Sequence, residues 1–305
     1  MVGAELGPPR GPLADEVLKT AESLKGYVDT VNLADNQGAT LRMSSLATAI
    51  LARQAGLDGV MQLTCRDKNR LALQAEVIGA QAFGISNFMG LSGDHQSLGD
   101  HPFVKGAFDV DSMQLVALLK RMRDEGVNAA GGRLEGSFGF LIGAAVNPFA
   151  PPFEFRPLRL RKKIEAGADF VMSQIVYNVP RFKSWMQAVR DEGLHERVAI
   201  IAGVGPLRSL RAAEFMRDHV AGMDVPEEIL KRLQGADKPR VEGRKICVEI
   251  VQQLKEIPGV AGVHIMSTGW EEAVPRVVEE AGLLPRPVVD DVSPASAVVP
   301  AHESR

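Results

Sequence analysis

Cysteine is almost missing from this 305-residue chain: Cys65 and Cys247 are the only two, and they form no C-x-x-C pair. A disulfide framework is therefore excluded, a reducing, cytoplasmic compartment is expected, and both thiols read as small hydrophobes. Aromatic residues amount to 5%, too few for a surface that stacks the bases of a single strand. Neither sign of charge dominates. The net charge of −3 provides no basic face for nucleic acid or an anionic membrane. No apolar run approaches the roughly 20 residues of a membrane-spanning helix. The opening MVGAELGPPRG is too short and too acidic for a signal peptide. No G-x-G-x-x-G follows any strand-like run, which disfavours a dinucleotide-binding Rossmann domain.

What is present suits a soluble globular protein with a large core, at 45% hydrophobic and 24% charged residues. Apolar runs of β type occupy residues 2–6, 27–36, 59–65, 82–91, 138–146, 169–177, 198–204 and 259–267. Between them, residues 13–24, 44–55, 68–78, 110–124, 158–166, 180–190, 207–219, 226–234, 241–256 and 271–281 have helical periodicity. Ala55-Gly56, Gly79-Ala80 and Ala166-Gly167 read as helix exits. Eight strands alternating with helices predict a single-domain α/β protein, a (β/α)8 TIM barrel over residues 1–286. Residues 287–305 carry no period and are expected to be disordered.

Barrel enzymes assemble their sites from the C-terminal ends of the strands. Those ends supply Glu5, then Asn32 with Asp35 and Asn36, then Thr64, then Leu91-Ser92-Gly93-Asp94. Asn147, Gln174, the turn at 203–205 and Thr268 complete the ring. The stretch AFGISNFMGLSGD at 82–94 is apolar and then abruptly polar, the pattern of a buried strand delivering a functional group. Most of the ring is neutral and hydrogen-bonding, which suits a planar polar ligand such as a pterin or flavin. A metal site would need His and carboxylate clusters at several strand ends, and none is seen.

Some of these residues have plain alternatives. Glu5 reads equally as a solvated charge, and Asp94 as the cap of its turn. Gln174 lies in an apolar strand, where an amide needs a partner, so binding is the better reading. His95, Asp100 and His101 match no metal-ligand spacing and read as solvated loop residues. Lys162 and Lys163 form either a wet helix face or a counter-charge for a cofactor phosphate.

The motifs AELGPPRG (4–11), QLTC (62–65), LSGD (91–94), AAVNP (144–148), LRKKIEAGAD (160–169), MSQIVYN (172–178), IIAGVGP (200–206) and GVHIMS (262–267) occur in order along nearly the whole chain. Together they resemble the methylenetetrahydrofolate reductase family, flavin-dependent barrels of one-carbon metabolism. The resemblance implies a flavin cofactor, FAD or FMN, and a tetrahydrofolate-type substrate. Electrons would come from NAD(P)H or from an electron-transferring partner subunit, and a homo-oligomer is expected. By position, Glu5 resembles the active-site acid that protonates the folate's bridging nitrogen. Asp94 resembles the carboxylate beside the flavin's pyrimidine edge and the pterin. Gln174, with Asn32, resembles a folate-recognition group. Thr64, Leu91, Ser92, Gly93, Asn147, Lys162 and Lys163 fall on flavin-holding segments.

The chain also departs from the family pattern. Ser92 replaces an Arg, Asn147 and Met266 each replace a Tyr, and FAPPF at 149–153 replaces a histidine-bearing loop. Arg156 stands where an acid that grips the adenosine ribose is expected. These changes resemble the branch of acetogenic and other anaerobic bacteria and bring FMN into consideration beside FAD. The rival readings are a pterin-dependent methyltransferase barrel without flavin and a flavin-carrying subunit of a larger redox complex.

Overall fold

The computed structural model describes residues 1–267 and 269–287. Thr268, and the tail expected to be disordered apart from Pro287, lie outside the described residues. The order of elements is β1 (Val2–Leu6), α1 (Ala14–Leu24), β2 (Thr30–Leu33), α2 (Ser45–Gln54), β3 (Gly59–Thr64), α3 (Arg70–Ala82), β4 (Asn87–Leu91) and α4 (Ser112–Glu125). The second half follows with β5 (Leu141–Val146), α5 (Phe155–Ala166), β6 (Phe170–Ile175), α6 (Val179–Asp191), β7 (Ala199–Val204), α7 (Leu210–His219), α8 (Glu227–Gln234), α9 (Pro239–Lys255), β8 (Val260–Ile265) and α10 (Ala273–Glu280). All eight strands are parallel and close in sequence order, with β8 returning to β1. This is the expected (β/α)8 barrel.

Local chemistry explains the helix starts. Ser44, Asn69 and Ser209 each accept a backbone N–H in the first turn of α2, α3 and α7, satisfying donors that a helix leaves unpaired. Asp111 and Gln114 cap α4 reciprocally. The main core lies between sheet and helices, where Leu115, Leu119 and Met122 of α4 are completely shielded. A second, small core of Val60, Met89, Phe170, Met172 and Ile201 gathers alternate residues of the strands and plugs the barrel beneath its mouth.

Several expected boundaries move. The fourth strand was expected from residue 82, yet α3 runs through Gly79 to Ala82. The chain turns at Gly84, φ +73°, and β4 starts at Asn87. Gly79 is therefore an interior helix residue and not an exit. β2 is shorter than expected because Tyr27 N–H returns to Leu24 O at 3.0 Å and Asn36 takes a left-handed conformation. β5 starts at Leu141, whose N–H bonds Ser86 O at 2.8 Å; Phe140 before it stacks edge-on against Phe88. Ile85 and Phe140 are buried without belonging to the ladder, while Phe83 is exposed at the end of α3. α5 begins at Phe155 and so includes Arg156, which the expected start at 158 excluded. Pro157 is accommodated because the first turn of a helix needs no donor there.

α9 crosses close over the loop after β7: a β-carbon on Gly243 would lie 1.8 Å from Leu207 O. Gly243→Ala is expected to lower stability by about 1–3 kcal/mol, because backbone must move, seen as a lower urea midpoint. A methyl at Gly79 meets nothing, so Gly79→Ala is expected to raise stability by roughly 0.5–1 kcal/mol through helix propensity.

Candidate active site at the barrel mouth

A cavity of about 380 Å³ opens at the C-terminal ends of the strands, within the size range of small-molecule sites. Met89 and Met172 form its floor and belong also to the barrel plug. Glu5, Asn32, Gln37, Gln62, Asn147 and Gln174 supply polar walls, and His264 and Met266 enter from β8. Arg156, Arg159 and Lys163 line one end.

Glu5 is 8% exposed and lies level with Asn32 across the β1–β2 pair. Burial raises its carboxyl to about 7, with the nearby Glu271 adding to the rise; Arg42 and a hydrogen bond with Gln37 oppose it more weakly. Desolvation penalises the carboxylate more than the acid, so at neutral pH this group both holds and releases a proton. Asn32 Nδ2 approaches Met172 Sδ at 3.1 Å, while its Oδ1 is buried without a partner. His264 is fully enclosed and its Nδ1 is likewise unpartnered; burial holds the imidazole down to about 4, so it is neutral. Gln174 Oε1 accepts from Ile175 N–H at 3.0 Å, which leaves its amide N–H groups for a ligand.

The basic end is built on α5. Lys163 is buried and donates to Ala145 O. Burial, then Arg159, lower its pKa to about 8. Arg156 Nη2 donates to Pro151 O at 2.6 Å, and its Nε is buried without a partner. Asn147 Oδ1 accepts from Phe149 N–H at 3.0 Å.

The expected site residues divide into two groups. Glu5, Asn32, Leu91, Asn147, Lys163 and Gln174 converge on the cavity. Thr64, Ser92, Gly93, Asp94 and Lys162 are not among its lining residues. Thr64 instead faces Asp35, giving its N–H to Oδ2 at 3.0 Å and its hydroxyl to the carbonyl at 3.2 Å. Gly93 lies on top of it with φ +86°, where a β-carbon would fall 2.3 Å from Thr64 Cγ2. The buried Arg66 holds this turn from beneath, donating to the carbonyls of Asp94 and Asn36 at 3.1 and 3.0 Å. Ser92 Oγ receives Ser112 N–H at 3.2 Å. Asp94 is exposed, and so is Lys162, whose ammonium lies 5.9 Å from the Phe155 ring. His95 and His101 bond their neighbours Ser97 and Asp100. Among the described residues no group of three His, Cys, Asp or Glu side chains is placed to hold a metal, and no helix is long and apolar enough to cross a membrane.

Sequence reasoning did not put Gln37, Gln62, Arg159 or His264 at the site. Gln62 and His264 carried a readable signal, since each is a polar residue inside an apolar strand, like Gln174. Arg159 had none beyond a basic helix.

The profile of the methylenetetrahydrofolate reductase family matches residues 1–282. Methylenetetrahydrofolate reductase 2 of Schizosaccharomyces pombe is 27% identical over 81% of this chain and 39% of its own length. The chain thus spans about two fifths of such fungal relatives. The 5,10-methylenetetrahydrofolate reductase of Salmonella typhimurium is 24% identical over 93% of this chain and 91% of that protein. Among solved structures, a Clostridium thermocellum protein described as binding two copies of 5-methyl-5,6,7,8-tetrahydrofolic acid superposes with a TM-score of 0.64. The two chains are 15% identical, with 92% of this chain and 94% of that one covered. With barrel, strand-end cavity and full-length match in agreement, the chain belongs to the methylenetetrahydrofolate reductase family.

Proposed function

We propose that this chain is a flavin-dependent oxidoreductase that interconverts 5,10-methylenetetrahydrofolate and 5-methyltetrahydrofolate. The observation that carries the reading is Glu5: a buried carboxyl poised at about 7 in a cavity whose other strand-end groups are neutral. An efficient general acid has its pKa near the working pH. Family membership and the names of the relatives supply the reaction.

The residues fit a flavin beside a pterin. The methionine floor offers an apolar face to a flat ring, and Asn32 and His264 at the cavity each carry a buried polar atom, Oδ1 and Nδ1, that no protein group satisfies. The cations of α5 supply counter-charge for a phosphate. A flavin held there supplies the hydride for the folate's one-carbon unit. The protein contributes the proton. Glu5 delivers it to the bridging nitrogen, which opens the methylene bridge; in the reverse direction the carboxylate takes it back. Gln174 and Asn32 hydrogen-bond the pterin and set its orientation, while the methionines keep water from beneath the rings. The family resemblance assigns Asp94 to the flavin's pyrimidine edge and puts Thr64 on a flavin-holding strand, whereas here Asp94 is exposed and Thr64 is engaged with Asp35.

Glu5→Gln is expected to keep flavin absorbance and lose folate reduction by about 100-fold or more. In the unaltered protein, turnover should fall as pH rises through about 7, because the donor ionises, and this limb should vanish in the variant. Unimpaired turnover by Glu5→Gln would remove Glu5 from the mechanism. Gln174→Leu should raise KM roughly tenfold with a smaller change in kcat, the signature of lost binding. An absorbance spectrum checks the cofactor: a colourless protein that takes up neither FAD nor FMN would bring the flavin-free methyltransferase reading forward.

A further inference from the structure

The pairing of β6 with β7 is irregular beside the cavity. Met172 stands opposite Ile201, yet Ile175 stands opposite Gly203, so three steps along β6 face two along β7. The extra residue falls at Ser173-Gln174, a bulge of the kind that aims side chains beside functional sites. Gln174 is the wall residue carried there.

Two backbone donors that a regular ladder would pair with carbonyls are met by side chains at the bulge. Gly203 N–H donates to Ser173 Oγ at 2.9 Å, and Ile175 N–H donates to Gln174 Oε1 at 3.0 Å. The Ser173 hydroxyl in turn donates to Gln174 O at 2.7 Å. That carbonyl and the Ile175 N–H belong to one planar peptide unit. Ser173 therefore grips one edge of the peptide whose other edge holds the Gln174 side-chain amide. An amide tied to the backbone through Oε1 follows any tilt of that peptide, and the serine fixes the tilt.

The surroundings leave little alternative. Ser173 is 1% exposed, so without its hydroxyl the Gly203 N–H loses its partner away from water. The facing residue must be glycine, since a β-carbon on Gly203 would lie 2.5 Å from Ser173 O and 3.1 Å from Gln174 O. The single proton of Ser173 is committed to Gln174 O, so the residue donates nothing to a ligand.

We propose that Ser173 is a positioning residue for folate recognition, its hydroxyl holding the Gln174–Ile175 peptide so that the Gln174 amide faces the pterin. The proposal rests on the folate reading above and adds the group that aims its recognition amide.

The test is calorimetric titration of the full chain with 5-methyltetrahydrofolate, set beside steady-state kinetics. Ser173→Ala should weaken folate affinity about tenfold, as for one lost hydrogen bond to the ligand, and raise KM with little change in kcat. A merely structural loss would lower the thermal midpoint without this split. Ser173→Thr keeps the hydroxyl and should restore affinity to within about threefold. In the Gln174→Leu background, Ser173→Ala should cost less than about twofold more, because the two residues act as one unit. Should Ser173→Ala not fold, Ser173→Cys takes its place in each comparison, its thiol being only a weak hydrogen-bond partner. Native affinity in Ser173→Ala, or the same loss again on top of Gln174→Leu, would overturn the positioning role and leave the folate reading standing. Unchanged affinity in Gln174→Leu would overturn the folate role of that amide and the proposal with it.

Discussion

Closure of the sheet between β1 and β8 is the contact on which the rest depends. Val263 N–H donates to Met1 O at 3.0 Å, and the terminal ammonium donates to Ala261 O at 2.9 Å. Gly262 permits the approach, since a β-carbon there would lie 2.2 Å from Met1 O. The pairing sets Gly3 level with His264 and so places the first strand in the wall of the cavity. Without it Glu5 would be a hydrated carboxylate near a chain end. With it, Glu5 is desolvated, and desolvation is the main reason its proton is held to about 7.

The cavity that closure creates is electrostatically divided. One end presents neutral amides, an uncharged imidazole and a single titrating carboxyl; the other presents three cations on one helix face. In a low-dielectric mouth such a division orients an amphoteric ligand before any contact is optimised. The two ends rest on different supports. The neutral end is carried by strands whose side chains alternate between cavity and outer core. The basic end is carried by α5, which is tied to the rim where Lys163 donates to Ala145 O and Arg156 to Pro151 O.

The turn at 91–94 has a different role from the cavity walls. Arg66, buried among Asp67, Asn36 and the Asp94 carbonyl, and Lys68, bridging Asp35 and Glu76 at 2.7 and 2.9 Å, build a polar shelf behind β3. Gly93 is pressed onto that shelf, so the turn is braced from below while the Asp94 side chain faces solvent.

The barrel was legible in the sequence because each strand is buried on both faces and reads as an uninterrupted apolar run, punctuated by helical periods of the right length. The polar residues ending those runs, Glu5, Asn32, Asn147 and Gln174, could be read for the same reason: each interrupts a pattern that burial enforces. Strand limits at 82, 138 and 27 could not be read, since the apolar run continues through helix-end and loop residues such as the exposed Phe83, and a strand is defined by its partner's hydrogen bonds. Nor could the sequence tell that Thr64 faces Asp35, that Asp94 stays outside the lining, or that Lys163 is buried while Lys162 is exposed. Adjacent lysines look identical in composition, and helix rotation alone, about 100° per residue, sends one into the cavity and the other into water. The sequence by itself determined which groups were available at the strand ends. Their protonation, their pairing and the gathering of Arg156, Arg159 and Lys163 were decided only by tertiary structure, because burial and charge proximity exist only once distant segments have met.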